Sequence, residues 1–442
     1  MRITGKTAAD IFDSIRMLTQ TGALTAGQEL PTVRDLAATL GVNRNTVSMA
    51  YKRLAAAGIA ATQGRLGTVI RSQSGPGEQE GALPGSPLAD LGSGNPNAAW
   101  LPDIGAALVR KPYRARLYGE PPVDPELEAA ARHWLAKDCP EHLDINLTHG
   151  SVDAIERLLA AHLVAGDKVA VEDPCFISSV NALRAAGLQT VGVAIDAQGM
   201  QDEALEEALT QGAQAVIITP RAHNPSGCSL STARARKLRA VLAKHPHVLV
   251  IVDDHFSLLS VTAYQDVIPP AAHRWALIRS VSKMFGPDLR LAFVASDAQT
   301  SQRLRLRLAP GTNWVSHLLQ DAVAACLSSP EVSEQIAHAR DGYARHRGIM
   351  AQALARQGIA VASPADGLNL WLPLQQSSQA LVLALAQHGW LVRGGESFGL
   401  QTPAHGLRIT ISTITEEKAQ AFARLLRQVL DQHQFFQSSG KA

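Results

Sequence analysis

The sequence predicts a multidomain chain: a small helical head ending in a hairpin, then an α/β body that includes a smaller α+β part. Three observations lead there. A length of 442 residues exceeds what one core usually serves. The stretch Ser72 to Leu88 is crowded with Gly, Pro and Ser and lacks any apolar period. It reads as a flexible tether between a head at 1–71 and a body at 89–436, with the polar end 437–442 set aside. From about residue 89, strand-like apolar runs alternate with helical stretches.

In the head, Ala8, Ile11, Ile15 and Leu18 recur at the helical period. Thr32, with Asp35 three residues on, reads as an N-cap and capping box that opens a short helix through Leu40. Gly41-Val42 makes a turn, and Asn43 caps a helix that buries Val47, Ala50, Tyr51 and Leu54. Two short strands, Ile59 to Ala61 and Thr68 to Ile70, flank the turn Gly64-Arg65-Leu66-Gly67. Helix, turn, helix and basic hairpin form a winged helix-turn-helix plan. Arg44, Asn45 and Thr46 open the second helix and are placed to reach base edges. Arg34, Lys52, Arg53 and Arg65 suit phosphate contact, and Thr32 and Ser48 complete the set assigned to DNA. Charge agrees: residues 1–71 hold nine Lys/Arg against four Asp/Glu, while the rest of the chain is slightly acidic. The run L-P-T-V-R-D-L-A-A-T-L-G-V-N-R-N-T-V-S-M-A-Y-K-R-L resembles the DNA-binding domain of the GntR family of bacterial transcription regulators.

The body's apolar runs include Lys168 to Val171, Thr190 to Val193, Ala215 to Ile218, Val248 to Val252, Ala276 to Ile278 and Leu291 to Ala295. Helical stretches such as Val152 to Leu163 and Ala233 to Lys244 lie between them, so a sheet covered on both faces is expected. Strands at Leu368 to Leu372 and Leu407 to Ile411, with residues 89–120, are expected to build the smaller α+β part. Such sheets bind ligands at the carboxyl ends of their strands, where Asp253 and Lys283 fall.

Lys283 follows an apolar run and is flanked by Ser280 and Ser282, with Arg290 after a Gly-Pro break. The sequence has a strand deliver one amine among hydroxyls and a guanidinium that suit a phosphate. With Asp253 thirty residues upstream, the set resembles the Asp…Lys signature of fold-type I pyridoxal-phosphate (PLP) proteins. The whole body resembles a class I/II aminotransferase, because several motifs occur in order. The resemblance implies that Lys283 forms a Schiff base with PLP, that Asp253 pairs with the ring nitrogen, and that Asn224, in N-P-S-G, bonds the ring oxygen. It further implies that Phe176, in E-D-P-C-F, stacks on the ring, although a plain core phenylalanine is the other reading. Gly150, Ser151 and Val152 open a helix whose free N–H groups would cradle phosphate. In the family's dimer, Tyr118 would reach the neighbouring subunit's cofactor phosphate. Arg408, in G-L-R-I-T, would clamp a substrate or effector carboxylate, an ordinary salt bridge being the alternative. One residue departs from the pattern: where related regulators have D-D-Y, this chain has Asp253-Asp254-His255. An imidazole in place of the phenol still allows PLP binding but puts efficient transamination in doubt.

GntR-type head plus aminotransferase-like body resembles the MocR subfamily of regulators, in which the body serves mostly as a PLP-dependent sensor and dimerises head-to-tail. The resemblance implies a transcriptional regulator acting on double-stranded operator DNA, with PLP itself as signal in vitamin B6 salvage. A working aminotransferase with an appended DNA-binding head is the alternative, and an empty body serving as a dimerisation scaffold is a third. Four scattered cysteines without C-x-x-C point to free thiols in a reducing compartment and to no metal site. With no apolar signal-like segment near Met1 and no long apolar run, a cytoplasmic protein is expected.

Overall fold

The structure, a computed structural model, describes residues 2–57, 59–62, 67–70, 80–81, 85–111, 114–140, 142–400 and 403–432. The head and the body are taken in turn.

The first helix of the head, α1 (Ala8–Gln20), starts where the Thr7 hydroxyl accepts from the Asp10 N–H and the Asp10 carboxylate accepts from the Thr7 N–H. The next, α2 (Val33–Leu40), is capped differently from the sequence expectation. Thr32 Oγ1 accepts from the Asp35 N–H, but it also donates to Asp35 Oδ2 at 2.7 Å, so the hydroxyl takes the carboxylate that a full capping box gives to backbone. Gly41 then adopts the left-handed conformation (φ 64°) and turns the chain. Asn43 Oδ1 accepts from the Asn45 N–H and opens α3 (Arg44–Ala56). Val47, Ala50, Tyr51 and Leu54 point inward and pack with Ile11, Ile15 and Leu36 as the head's own core. Burying each large apolar side chain stabilises the head by roughly 1.5–3 kcal/mol. Strands β1 (Ala60–Thr62) and β2 (Thr68–Ile70) pair antiparallel, Ala60 opposite Ile70. Arg65 and the rest of 63–66 lie outside the described residues.

The body is built on eight strands: β3 (Asp144–Thr148), β4 (Lys168–Asp173), β5 (Gln189–Asp196), β6 (Gly199–Met200), β7 (Ala213–Ile218), β8 (Leu249–Asp253), β9 (Trp275–Ser280) and β10 (Ala292–Ser296). They lie in the order β3-β10-β9-β8-β7-β4-β5-β6. Neighbours β9, β8, β7 and β4 run parallel, whereas β10 is antiparallel to both β9 and β3. The central strands are buried along their whole length, as expected of a sheet covered on both faces. The sequence reading missed β3, whose alternation is disguised by buried polar residues: Asn146 is bonded to Ser301 and Arg305, and Thr148 to the Gly150 carbonyl.

A three-stranded sheet of β11 (Asn369–Pro373), β12 (Arg393–Gly394) and β13 (Gly406–Thr410), in the order β11-β13-β12, forms with the C-terminal helices. The short strand Ala89–Asp90 pairs with Trp390–Leu391, and the Thr410 N–H donates to the Leu91 carbonyl, so residues near 90 join this part. Among the described residues, no helix is long and apolar enough to cross a membrane.

Candidate functional site

Strand register brings the candidate residues together. Ile278 pairs with Asp253, and Ala292 pairs with both Ser280 and Thr148. The carboxyl ends of β8, β9 and β3 therefore meet at one edge of the sheet. A cavity of about 390 Å³ opens there, lined by Asp253, Lys283, Phe176, Asn224, His255 and Arg290 among others.

Lys283 follows the carboxyl end of β9, where the sequence reading put it, in the one-turn helix Ser282–Phe285. The Val281 carbonyl accepts from both the Met284 and Phe285 N–H groups, and Gly286 (φ 105°) with Pro287 ends the turn. The turn directs Nζ across the cavity to the Gly94 carbonyl at 2.7 Å. Burial lowers the pKa of this amine, and Arg408 adds to the effect against the opposing pull of Glu80.

Asp253 is buried, and its Oδ1 has no hydrogen-bond partner among the described residues. Burial, and then the neighbouring Asp254, push its carboxyl up to about 7. His255 Nδ1 stands 3.9 Å from Asp253 Oδ2, beyond a good hydrogen bond. Burial and the charge of Lys283 bring the imidazole down to about 4, so it is neutral at pH 7. Asp254 points elsewhere. It takes a bidentate pair from Arg221 (2.7 and 2.8 Å) and a bond from Arg279 Nε (2.8 Å), a buried ionic cluster that sequence reasoning did not foresee. That cluster fixes the backbone on which Asp253 sits.

On the other side of the cavity, Gly150 (φ 94°) is the N-cap of α4 (Ser151–His162) and offers this helix no side-chain cap. Ser151 and Val152 line the cavity. A Cβ on Gly150 would lie 2.8 Å from Arg290 Nη2, so glycine is what lets the guanidinium lie against this turn. Arg290 donates to the His149 carbonyl at 3.0 Å and itself holds a left-handed φ of 42°. Ser280 and Ser282 are 3.0 Å apart through their hydroxyls. An unpartnered buried carboxylate, an amine, and an N-terminal helix turn beside an arginine and two serines suit a phosphorylated, aldehyde-bearing pyridine.

Arg408 is fully buried in β13, with its guanidinium over the Phe398 ring at 5.1 Å. Nη1 donates to Asn224 Oδ1 (2.9 Å) and Nη2 to the Gly92 carbonyl (2.6 Å). Its remaining partner, missed from sequence, is Glu80. Glu80 falls in the stretch 72–88 read as a flexible tether, yet it is anchored here because Arg408 offers a buried fork that needs an anion. Tyr118 lies outside the cavity, 92% exposed, with its ring edge-on to Trp314.

In the head, Arg34, Arg44, Asn45, Lys52 and Arg53 are exposed, while Thr46 and Ser48 are half-buried at the start of α3. Thr32 is exposed, with its hydroxyl engaged in the cap of α2.

Comparison with known proteins agrees with both parts. Residues 7–70 match the bacterial regulatory proteins of the gntR family, and residues 86–426 match aminotransferase class I and II. The chain is 54% identical over 429 residues, 97% of its length and 100% of the relative's, to the vitamin B6 salvage pathway transcriptional repressor PtsJ of Salmonella typhimurium. It is 27% identical over 403 residues, 86% of each chain, to the pyridoxine biosynthesis transcriptional regulator PdxR of Corynebacterium glutamicum. Among solved structures, the kynurenine aminotransferase of Pyrococcus horikoshii superposes with a TM-score of 0.72 at 22% identity, covering 79% of this chain and 92% of that one. The chain belongs to the MocR-type regulators, in which a gntR-family DNA-binding domain is joined to an aminotransferase class I and II domain of the PLP fold type I.

Proposed function

We propose that the chain is a transcriptional regulator that binds operator DNA through its head and PLP through its body, and that it represses a vitamin B6 salvage gene in response to PLP. The observation that carries this reading is Asp253 Oδ1, buried without a partner among the described residues in the cavity that Lys283 enters. Leaving such a carboxylate unpaired is costly, and a ring nitrogen bearing a proton would satisfy it. The 54% identical relative, a vitamin B6 salvage repressor, points the same way.

When bound, PLP supplies an aldehyde that condenses with an amine and a protonated ring that withdraws electrons. Lys283 offers the amine, made more readily neutral by its burial. Asp253 holds the proton on the ring nitrogen, and Phe176 offers a face for stacking. Asn224 orients the ring oxygen, and His255, a neutral donor, stands in for the phenol of the related pattern. Ser280, Ser282, Arg290 and the N–H groups of Gly150, Ser151 and Val152 hold the phosphate. Tyr118, exposed on one copy, reaches a second copy's phosphate in a head-to-tail homodimer. In the head, Arg44, Asn45 and Thr46 read bases, while Thr32, Arg34, Ser48, Arg53 and Arg65 position the backbone. No physiological turnover is assigned, and the protein acts in the cytoplasm.

Arg408 and Asn224 favour a second reading, a working aminotransferase, because a guanidinium fork suits an amino acid's carboxylate. Incubating PLP-loaded protein with a panel of amino acids separates the two. The regulator reading expects no sustained keto-acid release, whereas many turnovers per site would replace it with the enzyme.

A further inference from the structure

The position where Arg408 would seat a ligand's carboxylate is filled by the chain itself. Arg408 Nη1 donates to Glu80 Oε1 at 2.5 Å and Nη2 to Oε2 at 2.8 Å, the parallel fork that a free carboxylate would make. Asn224 Nδ2 adds a third bond to Oε1 at 3.1 Å. The Glu80 side chain is 19% exposed and faces a wholly buried guanidinium. Burial pushes its carboxyl up, but the hydrogen bond and charge of Arg408 prevail and hold it below the usual carboxylate range. The adjoining backbone is fastened as well: the Gly81 N–H donates to the Ser93 carbonyl at 2.9 Å, and Arg393 Nη2 donates to the Gly81 carbonyl at 3.3 Å. Across from it, a Cβ on Gly94 would lie 2.6 Å from Glu80 Oε2, so the loop that accepts from Lys283 has space for Glu80 only because it is glycine there.

We propose that Glu80 is a specificity-determining residue: it occupies the carboxylate seat at Arg408 and reserves the cavity for PLP against amino acids and other small carboxylates. The proposal rests on the PLP reading above. Two carboxylates cannot share one fork, because the second would face the first at contact distance in a buried setting. A ligand carboxylate must therefore expel Glu80, and a residue tethered by its own chain competes at a high effective concentration. Exchanging one carboxylate for another gains little at Arg408, so the apparent affinity falls by the fraction of molecules with Glu80 displaced. A ligand that uses Asp253, Lys283 and the phosphate cradle, and needs neither Arg408 nor the Asn224 N–H that Glu80 takes, escapes this competition.

The test is a fluorine NMR titration of the full-length protein with trifluoropropionate, a carboxylate without an amine, on wild type, Glu80→Ala and Glu80→Gln. Both variants should bind the probe at least about tenfold more tightly than wild type. The gain should vanish in Glu80→Ala combined with Arg408→Gln, which places the probe at Arg408. Equal affinity in wild type and both variants overturns the proposal, as does a gain that survives loss of Arg408. Should Glu80→Ala fold poorly, the isosteric Glu80→Gln decides. A parallel PLP titration should give similar affinity for wild type and Glu80→Gln. PLP binding to neither protein would overturn the PLP reading, and with it the claim that the cavity is reserved for PLP, while the carboxylate titration still decides who holds the seat.

Discussion

Asp253 shows how one residue's surroundings set its task. An aspartate in water ionises near 4, but burial and Asp254 hold this one up at about 7. Between those values the unfolded chain has released the proton and the folded, cofactor-free chain has not, so the contribution of Asp253 to stability falls as pH rises from about 4 to about 7. Asp253→Asn removes that dependence. In cofactor-free protein the variant's stability relative to wild type should rise across this window and level off above it, by up to about 4 kcal/mol for a shift of about three units. Denaturant unfolding at several pH values measures it, and a difference independent of pH would contradict the assignment. Lys283 has a more direct signature. Borohydride should fix PLP covalently to wild type and not to Lys283→Ala, read by intact mass. Fixation persisting in the variant would move the Schiff-base role to another lysine.

The candidate-site residues legible in the sequence were those whose charge is unusual beside apolar runs: Asp253 and Lys283 follow such runs and Arg408 interrupts one. Glu80 was not legible. It sits among Gly, Pro and Ser, and its role depends on a guanidinium more than three hundred residues away that needs an anion. The Asp254–Arg221–Arg279 cluster was hidden for the same reason, since its members are brought together by tertiary packing.

At the scale of elements, periodicity gave the head well, because α3 both packs and presents a face. Val47, Ala50, Tyr51 and Leu54 are buried on one side while Arg44 and Asn45 are exposed on the other. Leu54→Ala should destabilise the head by about 2–5 kcal/mol, measured by the loss of helix signal on heating a head-only fragment if it folds, or otherwise by proteolysis of the full chain. Arg44→Ala should leave folding unchanged and cost about 1–3 kcal/mol in specific DNA binding if it reads a base. An equal loss on every DNA sequence would make it a phosphate contact. In the body, β3 escaped notice because Asn146 and Thr148 are buried polar residues within it, and their partners lie on a distant helix and the following loop. The apolar run before Lys283 announced β9, but nothing in it announced the one-turn helix that carries the lysine beyond the strand's end.

Over the whole molecule, the order of parts was legible because each has its own pattern: helical period and basic charge in the head, alternating strands and helices in the body. What links them functionally is a difference in free energy. PLP can change DNA binding only if it favours one state of the protein over another, and the coupling is then equal in both directions. The most direct measurement is a titration of the full-length protein on DNA from its own upstream region, with and without saturating PLP. The account predicts a clear change in affinity with PLP, and a matching change in PLP affinity when that DNA is present. Identical DNA affinity in both conditions would contradict it.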